Sequence, residues 1–65
     1  RNKIKIIRDI VIEFETKGRK TIPIEDIVGE AQSKNITEAQ VEEIIEKLKR
    51  EGEIFEPRRG WISKI

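Results

Sequence analysis

Near the end of the chain, Pro57-Arg58-Arg59-Gly60-Trp61 sets two guanidiniums side by side in a turn-forming stretch, close to the single tryptophan. Guanidinium forks match phosphate oxygens, and an aromatic ring beside them can stack on a base, so this set suits contact with a nucleic-acid backbone. Lys64 adds a third cation to the same segment. A second set, Glu42, Glu43 and Glu46, has the opposite sign and suits a basic protein surface. Plainer readings stand beside both. Charges in a turn are ordinarily solvated and discourage edge-to-edge strand pairing. A glutamate-rich helix face is ordinarily solvated too, here with Glu43–Lys47 and Glu46–Arg50 as i,i+4 pairs. Trp61 in a short strand ordinarily packs on the first helix or the opposite strand.

Covalent chemistry has little to work with. The 65 residues contain no histidine and no cysteine, and the only hydroxyls are Thr16, Thr21, Thr37, Ser33 and Ser63. The usual general base, the usual metal ligands and any activated nucleophile are missing, so no catalytic, cofactor-binding or metal-binding residue is assigned and the chain is not expected to be an enzyme. With no initiating Met, signal peptide or long apolar run, the chain is expected to be one domain over residues 1–65 cut from a longer intracellular protein, monomeric by itself and without a membrane partner. Fourteen isoleucines against one leucine, eleven Glu, eight Lys and no Met lean towards a hyperthermophile.

The apolar spacing defines the elements that must position these charges. Ile4, Ile7, Ile10, Val11 and Phe14 form one helical stripe within residues 1–17, with Ile6 at its edge and Ile12 on the opposite side among charges. Gly18 suits the left-handed residue that ends such a helix. Lys20-Thr21-Ile22 reads as a brief strand, and Pro23 suits the first turn of a second helix. Glu25 and Asp26 complement that helix's dipole. Its buried face is Ile24, Ile27, Val28 and Ala31, and it is expected to end near Lys34-Asn35. Thr37 and Gln40 make a capping box ahead of a third stripe, Val41, Ile44, Ile45 and Leu48, which Gly52 closes. The remainder predicts a hairpin of Glu53–Glu56 and Trp61–Lys64 turning through residues 57–60, with Ile54 and Ile62 facing the helices. Helix, short strand, helix, helix and hairpin make an α+β winged helix-turn-helix.

In DNA-binding winged helices the third helix enters the major groove, N-terminal end first, and the wing touches backbone or minor groove. Here the third helix turns Ala39, Glu42, Glu43, Glu46 and Arg50 outward, and residues 37–46 hold four glutamates and no cation. Phosphate contacts need cations, and outward glutamates make poor base readers. Charge is sorted along the chain: residues 1–20 carry net +4, residues 21–56 net −6 and residues 57–65 net +3. Such a surface can meet two partners of opposite sign. Ile12 is either a lone exposed apolar residue or a contact to a neighbouring domain.

The stretch Leu48-Lys49-Arg50-Glu51-Gly52-Glu53-Ile54-Phe55-Glu56-Pro57, followed by two arginines, Gly60 and Trp61, resembles the C-terminal winged-helix domain of archaeal minichromosome maintenance (MCM) replicative helicases. Ile22-Pro23-Ile24-Glu25-Asp26-Ile27 fits the same family less specifically. The resemblance implies a non-catalytic domain that follows the AAA+ ATPase module of a hexameric DNA-unwinding enzyme. It implies modulation of ATPase and unwinding activity, and docking of replication partners such as an origin-binding loader. ATP and magnesium would belong to the parent helicase and not to this domain, which would reside in a prokaryotic cytoplasm in association with the nucleoid. Within that frame Arg58, Arg59 and Lys64 are the candidates for weak, sequence-independent DNA contact. Glu42, Glu43, Glu46 and Ile12 are the candidate partner surface. The alternative is a sequence-specific DNA-binding domain of a transcription regulator, which would place Arg, Asn or Gln at positions 42, 43 and 46.

Overall fold

The structure, a computed structural model, describes residues 2–65. Three helices, α1 (Lys3–Thr16), α2 (Ile24–Gln32) and α3 (Glu38–Arg50), are joined to three strands, β1 (Ile22–Pro23), β2 (Ile54–Arg58) and β3 (Trp61–Lys64). The strands form one antiparallel sheet in the order β1-β3-β2. This is the α+β winged helix-turn-helix, with the short strand after α1 pairing onto the hairpin through Ile22–Ile62 and Pro23–Trp61.

Helix ends follow from local chemistry. Asn2 accepts a hydrogen bond from the Lys5 N–H at 3.1 Å and starts α1; Arg1, where the sequence begins its helix, lies outside the described residues. The C-terminal ends of α1 and α3 turn through Gly18 (φ +94°) and Gly52 (φ +76°). At each, the glycine N–H and the next N–H bond back to the last turn, as Gly52 to Lys49 O and Glu53 to Leu48 O do at 3.1 and 3.0 Å. α2 stops two residues before the expected place. Beyond Gln32 the bonds become tighter turns, and Asn35 takes φ +64°, a conformation its short polar side chain tolerates. Thr37 and Gln40 exchange the two bonds of the capping box at 3.2 and 3.0 Å. Ile36 just before it and Val41 just inside α3 are both buried, the positions of a hydrophobic staple.

The three stripes and the inner face of the sheet share one core of thirteen buried apolar residues. Nine of these are isoleucine, whose branched side chain keeps few rotamers and so loses little freedom on burial. No polar or charged side chain is buried among the described residues. Ile62 at 0% and Ile54 at 4% exposure face the helices as the alternation requires. Ile4, Phe14, Ile24 and Val28 cover the margins of this core.

Two expectations about the small sheet are corrected. Pro23 is not in the first turn of α2. Its ψ of 135° is extended, and it pairs with Trp61 as the last residue of β1. An edge strand accepts a residue that cannot donate, because one of its sides has no partner. The hairpin turn is also shorter than the stretch 57–60. β2 continues through Pro57 to Arg58, which pairs with Trp61, leaving Arg59 and Gly60 as the turn. The register shifts by one residue between Phe55 and Arg58, a bulge at the proline that has no N–H to give the ladder.

Candidate nucleic-acid and partner interfaces

The wing tip is held from two sides through one residue. Gly60, at φ +84°, donates its N–H to Glu56 Oε2 at 2.7 Å, and its carbonyl accepts from the Ile24 N–H at 2.9 Å. The other Glu56 oxygen receives Lys49 Nζ of α3 at 2.8 Å, and the same ammonium donates to Glu46 at 3.0 Å. Thus Glu56 clamps the turn to the end of α3 while Gly60 ties it to the start of α2. The Lys49 hydrogen bond, with the Gly60 N–H adding to it, holds the Glu56 carboxyl below its usual pKa. Glu56, and then Glu46, hold the Lys49 ammonium above its usual value.

The base of the wing is fastened as well. Arg8 of α1 meets the Glu53 carboxylate with two bonds, Nε–Oε1 at 2.7 Å and Nη2–Oε2 at 3.1 Å. Arg19, stacked over Phe14 at 5.2 Å, pairs with Asp26 at 3.0 Å and fixes the α1–α2 junction. Both carboxylates of the wing, Glu53 and Glu56, are therefore occupied by helix cations.

The candidate DNA-contacting residues separate under this geometry. Arg58 and Arg59 remain together and exposed, and neither has an ion-pair partner among the described residues. Arg58 is a strand residue whose guanidinium lies 5.8 Å from the centre of the Trp61 ring. Trp61 is half-buried, with Arg58 opposite it on one neighbouring strand and Pro23 on the other. Lys64 does not join them. It stands opposite Ile54 at the far end of β3, roughly 10 Å along the strand from Trp61.

On α3 the face outward from the core carries Ala39, Glu42, Glu43, Glu46 and Arg50, all exposed. The expected Glu43–Lys47 and Glu46–Arg50 pairs are not formed. Lys47 instead reaches Glu51 at 3.2 Å, and Glu46 is taken by Lys49. Both lysines are drawn towards the C-terminal end, where the helix dipole and further carboxylates favour cations. Glu38, Glu42 and Glu43 are left without an ion pair among the described residues, so the groove-entering end of this helix is purely acidic.

Ile12 is 38% exposed and borders two depressions on α1. One runs to the base of the wing, with Arg8, Ile54, Lys64 and Ile65 on its walls, and the other lies towards Lys34 and Glu13. Ile65, 68% exposed, extends the same apolar strip.

Three features escape the sequence analysis. Phe55 is 45% exposed on the outer sheet face, where strict alternation from Ile54 would have placed it. The Arg8–Glu53 and Lys49–Glu56 ties join residues 45 and 7 positions apart, and no local spacing announces them. Among the described residues no group of His, Cys, Asp or Glu is arranged to hold a metal ion, and no helix is long and apolar enough to cross a membrane.

Residues 1–64 match the family of MCM protein C-terminal winged helix-turn-helix domains. An uncharacterised MCM-type protein of Methanocaldococcus jannaschii is 38% identical over 60 residues, which are 92% of this chain and 9% of that relative's length.

Proposed function

Because the chain belongs to the family of MCM C-terminal winged helix-turn-helix domains, a non-catalytic fold, we propose that it is the regulatory and docking module of a hexameric, ATP-driven replicative DNA helicase. It would act beside the AAA+ ATPase module of that helicase, which would bind the ATP and magnesium. Its role would be to modulate ATP hydrolysis and unwinding and to receive replication proteins such as an origin-binding loader, on the nucleoid of a prokaryotic cytoplasm.

The observation that carries this reading is the charge of α3. Among the described residues, Glu38, Glu42 and Glu43 stand unpaired at the end that a DNA-reading winged helix would insert into the major groove. Three unneutralised carboxylates there oppose phosphate and favour a basic protein surface. The exposed Ile12 and Ile65 supply apolar area for a contact with the neighbouring module. DNA contact is weak and independent of sequence and centres on Arg58 and Arg59 at the wing, with Lys64 standing apart from them at the far end of β3. The transcription-regulator alternative lacks the Arg, Asn or Gln it needs at positions 42, 43 and 46.

The test is a Glu42→Lys/Glu43→Lys exchange in the helicase that carries this chain, with ATP hydrolysis and unwinding measured against the unaltered protein and a protein lacking the domain. The reading expects the exchange to reproduce the effect of deletion on at least one activity and to weaken capture of the partner. Unchanged activities in both altered proteins would sink the regulatory role. Tight, salt-resistant binding to one DNA sequence by the 65-residue chain would move the alternative to first place.

A further inference from the structure

The outer face of the wing sheet has a composition that the docking role leaves unused. Ile54 and Ile62 point to the helices, so Phe55, Trp61 and Ser63 point away from them. Phe55 and Arg58 are three residues apart and would lie on opposite faces of a regular strand. The bulge between them restores the phase, and Arg58 comes to stand beside Trp61 on the same side as Phe55. Phe55 opposes Ser63, and Trp61 is two residues before Ser63, which makes the two rings diagonal neighbours about 7–8 Å apart at the backbone.

Charge is sorted across the sheet. The two carboxylates of the wing, Glu53 just before β2 and Glu56 within it, are held by Arg8 of α1 and Lys49 of α3. The outer face keeps Arg58, Arg59 follows it in the turn, and the sheet edge is tied by the Lys20 carbonyl accepting the Ser63 hydroxyl at 2.7 Å. An exposed phenyl ring, a guanidinium-capped indole and free cations form the combination that holds single strands: rings for the base faces and cations for the phosphates. A guanidinium plane also stacks on a base, so the Arg58–Trp61 pair offers a second platform beside Phe55.

We infer that the outer face of the wing, formed by Phe55, Trp61, Arg58 and Arg59, is a stacking site for single-stranded nucleic acid. The inference rests on the proposed wing contact and narrows it, because a duplex hides its base faces and can engage only the cations.

The only tryptophan of the chain lies in the site and reports on it directly. The 65-residue chain is titrated with a thymidine oligonucleotide of about 12 nucleotides and with a duplex of equal length, at about 50 mM salt. Trp61 emission and the anisotropy of the labelled DNA are followed together. The single strand should quench Trp61 and the duplex should not. Phe55→Ala should weaken single-strand binding about tenfold, equal to about 1.4 kcal/mol, and leave duplex binding unchanged. Phe55→Trp, followed by anisotropy alone, should keep single-strand binding near the parent level. Phe55 is exposed, so the variants should fold, and a thermal melt verifies that.

A Phe55→Ala variant that binds the single strand as the parent does overturns the inference, and so does one that loses both DNA forms equally. If Arg58→Ala/Arg59→Ala abolishes binding while Phe55→Ala does nothing, the wing contact stands and the stacking site falls. If the unaltered chain binds neither form, both fall. Loss of a protein partner alone on Phe55→Ala assigns this face to protein docking and also overturns the inference.

Discussion

Removing both wing arginines, Arg58→Ala/Arg59→Ala, gives a quantity that the structure fixes in advance. Neither side chain has an ion-pair partner among the described residues, and although Arg59 feels the Glu56 carboxylate that Lys49 already holds, each is available to DNA. Lys64, opposite Ile54 at the other end of β3, is not counted with them. Two phosphates neutralised on a duplex give a salt slope of about −1.8, so affinity should fall about twelvefold between 50 and 200 mM salt. The variant should bind more weakly at the lower salt and show a slope near zero. Anisotropy of a labelled duplex at three salt concentrations measures both. Losing Arg58 also removes its stacking on Trp61, worth about 0.5–1 kcal/mol at an exposed site, so a melting curve must show that the variant is folded. A variant slope equal to that of the parent refutes the wing assignment. A parent slope of about −4 or steeper refutes the count of two and brings in cations elsewhere, such as Lys34 or Arg50.

Leu48→Ala, at 0% exposure where α3 meets the sheet, should cost about 2–5 kcal/mol. For a domain of this size that is a large share of the total, and the melting midpoint should drop by about 10–30 °C in calorimetry. A double-mutant cycle on Arg8 and Glu53 should give a coupling of about 0.5–1 kcal/mol that shrinks with added salt, since both side chains are near 40% exposed and the pairing is bidentate. A coupling indistinguishable from zero would mean that the tie does not hold the wing base. The folded-state pKa of Glu56 lies below its usual 4.5, so its contribution is fully present above that value and is lost as pH falls through the lowered one. Trp61 emission should therefore change on acidification below the ordinary carboxylate range, and Glu56→Gln should blunt the change; an identical acid transition in the variant excludes the clamp. Lys49, raised above 10.5, keeps its contribution up to that pH and loses it as pH rises through the higher folded value.

The fold class, the helix stripes and most helix ends were legible in the sequence because each depends on neighbours within one or two turns. The capping box at Thr37 and Gln40, the left-handed Gly18 and Gly52, and the inward Ile54 and Ile62 are all set by local spacing or backbone freedom. The sorting of charge into a basic wing and an acidic third helix was equally plain, as was the likeness of residues 48–62 to the MCM family. Tertiary structure decided which charges remain available. Lys49 had two glutamates within reach, at positions 46 and 56, and it holds both because the hairpin folds back onto the end of α3. Arg8 met Glu53 only because α1 packs beside the start of the wing. The bulge that brings Arg58 level with Trp61 arises where Pro57 meets a ladder it cannot join, and a linear pattern of period two cannot show a shift of register. Residue types and their periods determined this protein's elements and the sign of each surface. Partners brought together over long sequence separations decided which cations stayed free to act and which ring was left bare, because ion pairing and exposure depend on distance in space.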